Sequence, residues 1–250
     1  MSGHSKWSTI KRKKGAADAK RGAVFTRLTK EIAIAAREGG GDTESNFKLR
    51  LAVEKARGAN MPKDNIERAI RRGTGEDKDA AAFEEAIYEG YGPHGAGLLI
   101  EVVTDNRNRA LGEIRRQMTR SNGRLAEAGS VSWQFTRKGY CVVHSGDIEK
   151  VFEMAVEAGA DDVVQGEGDA IEIYTPAEAF HAVVQRLKEA GLEAEDAGLR
   201  MEPNSRLAIE VNETVQVLRL VEALEELDDV QNVYTNLDYS DEALSVLEAA

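Results

Sequence analysis

Basic side chains are concentrated near the start of the chain, in the segment "GHSKWSTIKRKKGAADAKRG" at positions 3–22. This segment contains seven Lys or Arg residues and a single acidic residue, Asp18. Clustered cations bind a nucleic-acid backbone because they displace its condensed counterions. We therefore predict phosphate contacts for Lys6, Lys11, Arg12, Lys13, Lys14, Lys20 and Arg21. Trp7 is a further predicted contact because an indole can stack on a base, although packing on the protein explains it equally well.

Two later groups of basic residues extend this pattern. The first lies mostly off the apolar faces of predicted helices, and its predicted contacts are Arg27, Lys30, Lys63, Arg68, Arg71 and Arg72. The second accompanies "TDNRNRA" at 104–110, and its predicted contacts are Arg107, Arg109, Arg115 and Arg116, with Arg120 and Arg124 extending the patch. A helix dipole disfavours cations at a helix N-terminus. Arg107 and Arg109 are therefore expected to hold phosphate or carboxylate.

Other residue patterns do not predict an enzyme. The four histidines lack metal-ligand spacing, and no nucleophile lies in a recognisable arrangement with a base. The glycine-rich "GYGPHGAG" at 90–97 lacks the Gly-Lys-Ser/Thr ending of a phosphate-binding loop. Acidic pairs at 161–162 and 228–229 are predicted to lie on a solvated face. We predict no catalytic residue, no metal site and no cofactor.

Charge is distributed unevenly along the 250 residues, whose formal net charge is -11. Residues 1–75 contain 18 Lys or Arg and 8 Asp or Glu, a net charge of +10, whereas residues 139–250 contain 6 and 26, a net charge of -20. Such polarity indicates that one end attracts polyanions and the other repels them. Mutual neutralisation of the two parts within one molecule is the alternative.

Hydrophobic periodicity predicts an α+β protein of three domains. Residues 1–75 form a basic arm and an N-terminal helical domain, with helices that start near Phe25, near Thr43 or Ser45, and at Pro62, the last one closed by Gly73. The other two domains are predicted to be α/β and ferredoxin-like. Residues 139–203 form an acidic domain of β-α-β-β-α-β order, inserted in a discontinuous middle domain of residues 76–138 plus 204–250.

Several local expectations follow from the same patterns. Strands are predicted for "GSVSWQF" at 129–135 and for "RLAIEV" at 206–211. Thr175 is predicted to be the N-cap of a helix, with Pro176 in its first turn. Asp147 is predicted to cap another helix, and Asp105 or Asn106 a third.

Four stretches resemble the YebC/PmpR family: "MSGHSKWSTIKRKKGAADAKRG", "NMPKDNIERAIRRGTG", "YEGYGPHGAGLLIEVVTDNRNR" and "GSVSWQF". The resemblance runs essentially end to end and implies a cytoplasmic, non-enzymatic protein with one helical and two α/β domains. It also implies a DNA-binding transcriptional regulator, although some members of the family act in translation, in mitochondria or with the bacterial ribosome. "GGGDTESN" lacks the usual proline, and "SNGRLAEAGSV" replaces the more usual Gly-Gly-Asn-Leu-Gly before Gly-Ser-Val.

We therefore expect a nucleic-acid-binding regulatory protein that contacts phosphate backbone. Its partner is DNA, or else ribosomal or transfer RNA with the ribosome, and charge does not choose between them. A protein–protein adaptor that uses the acidic half is the alternative of a different class. The single cysteine, Cys141, points to a reducing compartment, and no apolar run is long enough to span a membrane. A cytoplasmic location is expected, and the oligomeric state is left open.

Overall fold

The computed structural model describes residues 18–77, 81–166 and 168–248. They fall into two compact units. The larger unit comprises residues 18–134 and 205–248, and the smaller unit comprises residues 135–204. The helices are α1 (Asp18–Gly39), α2 (Phe47–Gly58), α3 (Lys63–Thr74), α4 (Arg107–Arg120), α5 (Ile148–Glu157), α6 (Phe180–Glu189), α7 (Val211–Glu225) and α8 (Asp241–Glu248). The strands are β1 (Glu84–Tyr91), β2 (Gly97–Thr104), β3 (Arg124–Leu125), β4 (Phe135–His144), β5 (Asp162–Gln165), β6 (Ala170–Pro176), β7 (Glu195–Pro203) and β8 (Val230–Thr235).

The first three helices of the larger unit share one apolar core. Their buried side chains recur at helical spacing and include Leu28, Ile32, Leu49, Val53, Ile66 and Ala69. Asn46, rather than Thr43 or Ser45, caps α2, because its side chain accepts a hydrogen bond from the backbone N–H of Leu49 at 3.1 Å.

Helix α3 continues one residue beyond the predicted stop at Gly73, to Thr74. The chain leaves the helix at Gly75, which adopts a left-handed φ of +77°. Gly73 serves another purpose, since a Cβ at this position would lie 2.2 Å from the carbonyl oxygen of Ala33 on α1. The glycine therefore permits the close approach of α1 and α3.

The sheet of the larger unit has the strand order β3-β1-β2-β8, with antiparallel pairing throughout. Strand β2 is a continuous apolar run, "GLLIEVVT", that is buried at every position except the half-buried Glu101. Helix α4 contributes Ala110, Ile114 and Met118, spaced four residues apart, to the core. Helix α7 buries seven side chains, including Leu218 and Leu224. This sheet positions the start of α4 beside the end of β2.

The smaller unit has the chain order β4-α5-β5-β6-α6-β7 and the sheet order β5-β6-β4-β7. All pairs in this sheet are antiparallel. The β-α-β-β-α-β order is the one expected from the sequence. The α+β class, with N-terminal helices and two antiparallel sheets, is confirmed. The three-domain boundaries stay a prediction.

The first helix begins at Asp18 and not near Phe25 as predicted. Three further local predictions are wrong. The "GSVSWQF" stretch forms a loop and a short 3₁₀ turn at Ser132–Gln134, and the strand β4 begins only at Phe135. The "RLAIEV" stretch contributes one isolated bridge, between Leu207 and Leu237. Helix α6 begins at Phe180 instead of following Thr175, because β6 continues pairing with β4 as far as Pro176.

The caps predicted for α4 and α5 are confirmed. The Asn106 side chain accepts from the backbone N–H of Arg109 at 3.1 Å, and Asp147 accepts from that of Lys150 at 3.0 Å. Among the described residues, no helix has both the length and the apolar character that crossing a membrane requires.

Candidate nucleic-acid interface

A buried carboxylate holds two of the basic residues that were predicted to bind phosphate. Asp229 is 3% exposed, and its Oδ1 lies 2.6 Å from the Nζ of Lys30, itself 5% exposed. The same Nζ donates to the carbonyl of Asp228 at 2.6 Å. Lys30 is therefore not available to a phosphate, and the prediction for this residue is wrong. Asp229 was predicted on a solvated face, and that prediction is wrong because the carboxylate is buried and pairs with the buried ammonium group of Lys30.

Arg109 completes this site from the first turn of α4. Its Nε and Nη2 lie 3.1 and 2.8 Å from Asp229 Oδ2, and its Nη2 also lies 2.9 Å from Asp105 Oδ1. Burial acts to raise the pKa of Asp229, but hydrogen bonds from Lys30 and Arg109 outweigh it and lower that pKa. The hydrogen bond to Asp229 raises the pKa of Arg109. We call Asp229, Lys30, Arg109 and Asp105 the Asp229 cluster.

Three other predicted contacts are engaged within the protein. Arg27 donates to the carbonyl of Glu225. Arg107 Nε lies 2.6 Å from Glu84 Oε2. Arg72 donates to the carbonyl of Ala81 at 2.7 Å, and its guanidinium carbon lies 3.5 Å from the centre of the Phe83 ring. Each side chain has a partner that a phosphate would have to replace.

A second set of basic residues remains on the surface without such partners. Across residues 18–77, 81–166 and 168–248, no ion pair or side-chain hydrogen bond engages five exposed arginines. We call this set the exposed arginines: Arg68, Arg71, Arg115, Arg116 and Arg120. On α4, Arg116 and Arg120 each follow a buried residue by two positions and therefore project away from the core. Lys63 is also exposed and lies 3.4 Å from Glu67, one turn further along α3.

The remaining predicted contacts lie in the N-terminal segment. Lys20 and Arg21 belong to the first turns of α1, whose backbone is described there while these side chains are not. The others lie outside the described residues: Lys6, Trp7, Lys11, Arg12, Lys13 and Lys14.

A second buried carboxylate organises the loop before β4. Glu89 on β1 is 7% exposed and accepts three backbone N–H groups, from Gly129 at 2.7 Å, Val131 at 2.6 Å and Ser132 at 2.9 Å. Burial acts to raise the pKa of Glu89, but these three donors outweigh it and lower that pKa. These three backbone N–H groups bind the Glu89 side chain instead of the carbonyl groups of a neighbouring strand. This explains why "GSVSWQF" does not pair as a strand.

The described residues show no arrangement for metal chemistry. No group of three or more His, Cys, Asp or Glu side chains among them is placed to hold a metal ion. The Cys141 thiol is buried, and burial raises its pKa to about 12, so it remains protonated at neutral pH.

Two family models cover most of the chain. The TACO1/YebC protein N-terminal domain matches residues 5–76, and the TACO1/YebC second and third domain matches residues 83–237. The chain belongs to the TACO1/YebC family. The resemblance to YebC/PmpR proteins is thereby confirmed.

Relatives in this family are similar over nearly their whole length. A protein of Geotalea uraniireducens is 52% identical over 245 residues, 98% of each chain. One of Geobacter sulfurreducens is 52% identical over 248 residues, 99% of this chain and 100% of the relative. Both are named "Probable transcriptional regulatory protein". The crystal structure of a conserved hypothetical protein from Aquifex aeolicus has a TM-score of 0.82 and 43% identity, covering 90% of this chain and 93% of that chain.

Two functional features of this YebC-family chain were missed by sequence reasoning. Asp229 pairs with residues 199 and 120 positions away, so no local spacing could reveal the Asp229 cluster. Glu89 binds backbone groups 40 to 43 positions further along the chain. Its signal in the sequence is weak: one of three acidic residues in β1, directly before Gly90, and the only one of the three that is buried.

Proposed function

We propose that this YebC-family protein is a nucleic-acid-binding regulator of transcription that contacts phosphate backbone through its exposed arginines. The observation that supports the proposal is the set of five guanidinium groups with no ion-pair or hydrogen-bonding partner among the described residues. A guanidinium group presents several N–H donors to phosphate oxygens, and its charge is retained at any pH of interest. The names of the relatives from Geotalea and Geobacter favour transcription as the process.

Binding to RNA is the second candidate function. The feature that favours it is an aromatic side chain, Trp133, which is 71% exposed. Proteins that recognise RNA most often stack such side chains on unpaired bases, whereas duplex DNA conceals the faces of its bases. Arginine contacts to phosphate are compatible with either DNA or RNA as the partner.

The salt dependence of binding tests the shared proposal. The affinity for a duplex is measured over a series of salt concentrations, for the wild-type chain and for the double variant R115Q/R116Q. Each lost phosphate contact reduces the slope of log affinity against log salt by about 0.9, so the double variant should lower the slope by about 2.

A matched double variant controls for net charge. R186Q/R219Q removes the same two charges from exposed helical positions on α6 and α7, and it should leave the slope unchanged. If both double variants reduce the slope equally, the effect comes from overall charge and the assignment to α4 is wrong. If the wild-type chain shows no salt-dependent binding to duplex DNA or to RNA, the proposed function is wrong.

A further inference from the structure

Helix α5 of the smaller unit exposes two large apolar side chains on one side. Phe152 is 48% exposed and Val156 is 43% exposed, and they lie about one helical turn apart. The core side of the same helix is formed by Val151 and Ala155, which are buried. Phe152 and Ile148 line a shallow groove on the surface. The fold of the smaller unit therefore leaves an apolar strip half-exposed, and a strip of this kind is typical of a docking site.

Carboxylates border this strip. Glu149 precedes Phe152 by three positions and Glu153 precedes Val156 by three, so all four side chains share one side of the helix. Both carboxylates also line the groove. They are exposed, and no ion pair engages them within the part of the chain that the structure describes. We call Glu149, Phe152, Glu153 and Val156 the α5 face.

The unit that carries the α5 face is acidic as a whole. Residues 135–204 contain 6 Lys or Arg and 15 Asp or Glu, a net charge of -9. Such a surface repels a nucleic acid, and it also repels the same face of a second copy, because like charges meet in both cases. An occupant that suits the α5 face therefore combines apolar side chains with positive charge.

The chain contains a stretch of this chemistry before α1. Residues 1–17 contain five Lys or Arg and no Asp or Glu. Trp7 and Ile10 supply large apolar side chains, directly beside Lys6 and Lys11. Seventeen residues span up to about 60 Å when extended, so this stretch can reach surfaces far from the start of α1. Covalent linkage also gives it an effective concentration on the order of millimolar, at which even a weak site is occupied.

We propose that residues 1–17 dock on the α5 face of the same chain, with Trp7 against Phe152 and the basic side chains beside the carboxylates. A stretch docked in this way does not contact a nucleic acid, because its cations are already paired. The smaller unit therefore competes with nucleic acid for the stretch and lowers the affinity of the chain for polyanions. The docking is independent of the proposed function, whereas this competition rests on it.

Fluorescence of Trp7 tests the docking directly. The chain has two tryptophans, so W133F leaves Trp7 as the only indole, and acrylamide quenching then measures how exposed this indole is. In this background, F152A/V156A should raise the quenching constant toward that of the chain unfolded in urea and shift the emission to longer wavelength. The matched control I87A/V246A shortens two exposed apolar side chains elsewhere and should change neither quantity.

A second variant tests the charges and leaves the apolar strip intact. In the same W133F background, E149Q/E153Q should also raise the quenching constant of Trp7. High salt should raise it too, because ions screen pairs between exposed charges. The control E178Q/E193Q removes two negative charges from other exposed positions of the smaller unit and should leave the quenching constant unchanged.

The affinity for a DNA duplex tests the competition. If residues 1–17 are docked for about 70–90% of the time, their release raises the affinity about 3- to 10-fold. F152A/V156A should therefore bind the duplex about 3- to 10-fold more tightly than the wild-type chain, and I87A/V246A should stay within about twofold of it. Circular dichroism checks that each variant is folded.

The possible results are distinguishable. Unchanged quenching of Trp7 in F152A/V156A would overturn the docking, whatever the chain binds. Quenching that falls as the concentration of the W133F chain rises would assign the α5 face to the stretch of a second copy and overturn docking within one chain. Increased quenching in F152A/V156A without tighter duplex binding would support the docking and overturn the competition. If neither the wild-type chain nor this variant binds DNA or RNA, the proposed function and the competition fail together, while the quenching still decides the docking.

Discussion

Basic side chains serve two different purposes within the larger unit. In the Asp229 cluster, Lys30 and Arg109 are both paired with a buried carboxylate, Lys30 from a buried position and Arg109 from an exposed one. The exposed arginines on α3 and α4 have no such partner among the described residues. The net charge calculated from the sequence includes both groups and does not distinguish them. The second group offers a polyanion charge that no carboxylate of the described residues neutralises, so the local surroundings of each cation decide its role.

The largest expected effect comes from removing the carboxylate of the Asp229 cluster. In D229N, Lys30 is left in a buried site without the carboxylate that pairs with it. Breaking one partner of a buried ion pair typically costs about 3–5 kcal/mol, and we expect the free energy of unfolding to fall by that amount. Urea denaturation followed by circular dichroism measures it. Nucleic-acid affinity of the folded variant should be unchanged, because the exposed arginines are intact.

The neighbouring residue provides the control for this substitution. The Asp228 side chain is exposed, so D228N should change the free energy of unfolding by no more than about 0.5 kcal/mol. Equal destabilisation by the two variants would contradict the distinction between the two groups of charges. The distinction would also be contradicted if D229N lost more nucleic-acid affinity than its unfolded fraction explains.

The second-largest effect concerns the other buried carboxylate, Glu89. An amide in its place has only one oxygen, so E89Q directs an NH₂ group at a backbone N–H and leaves that donor unsatisfied. We expect a loss of about 2–3 kcal/mol in the free energy of unfolding, together with faster proteolysis of the loop that carries Trp133. The control is E127Q, which removes the same charge from an exposed position in that loop and should have little effect on either measurement.

The stabilisation from Glu89 should depend on pH in a defined direction. Because the folded-state pKa is lowered, the stabilisation is fully present above the unfolded-state pKa of about 4.3 and is lost as the pH falls through the lower, folded-state pKa. The difference in unfolding free energy between the wild-type chain and E89Q should therefore be constant from neutral pH down to about pH 5. It should shrink below about pH 4. A difference that grows on acidification would contradict the assignment.

Short-range patterns were sufficient for most of the elements but not for the roles of the charges. Pro62 marks the start of α3, and Asn106 and Asp147 were correctly predicted as caps because a cap acts within three residues. The apolar run of β2 identifies a strand for a similar reason. Each of these signals lies within or directly beside the element that it marks, so the local sequence is enough to predict that element.

Long-range pairing could not be predicted in the same way. Lys30 was placed among the phosphate contacts because its helix is basic, but its partner comes 199 residues later, in the turn before β8. The stretch at 129–135 was predicted to be a strand, but the distant Glu89 carboxylate binds three of its backbone N–H groups in a loop. Tertiary contacts determine both the role of Lys30 and the conformation of this loop. No periodicity in a single sequence indicates such contacts.

A smaller effect is expected from the exposed arginines of α3. Arg68 and Arg71 are three residues apart and therefore share one side of the helix. R68Q/R71Q should lower the slope of log affinity against log salt by about 2 while leaving the free energy of unfolding within about 0.5 kcal/mol of the wild-type value. The salt slope and the free energy of unfolding are both measured on one sample and compared with those of D229N. D229N should show the opposite pattern, with an unchanged slope and a lower free energy of unfolding. If R68Q/R71Q lowered the free energy of unfolding but kept the wild-type salt slope, these arginines would stabilise the fold and would not contact phosphate.

The smallest effect concerns an exposed ion pair of the smaller unit. His144 Nδ1 lies 2.8 Å from Asp169 Oδ1, and its Nε2 lies 3.5 Å from Glu195 Oε2. The hydrogen bond that the His144 ring donates to the Asp169 carboxylate is the main cause of the raised pKa of His144. The stabilisation from this pair is therefore fully present below the unfolded-state pKa of His, about 6.5, and is lost as the pH rises through the raised, folded-state pKa.

Nuclear magnetic resonance of the His144 ring checks this prediction, because its chemical shifts report the pKa directly. D169N should lower that pKa, whereas E149Q, which removes the same charge from the exposed first turn of α5, should lower it much less. Salt should reduce the difference between the two variants, since solvent and ions screen an exposed pair but reach a buried one poorly. The stability lost in D169N at low pH should therefore be far below that lost in D229N. If the two losses were similar, burial would not be what separates the Asp229 cluster from charges on the surface.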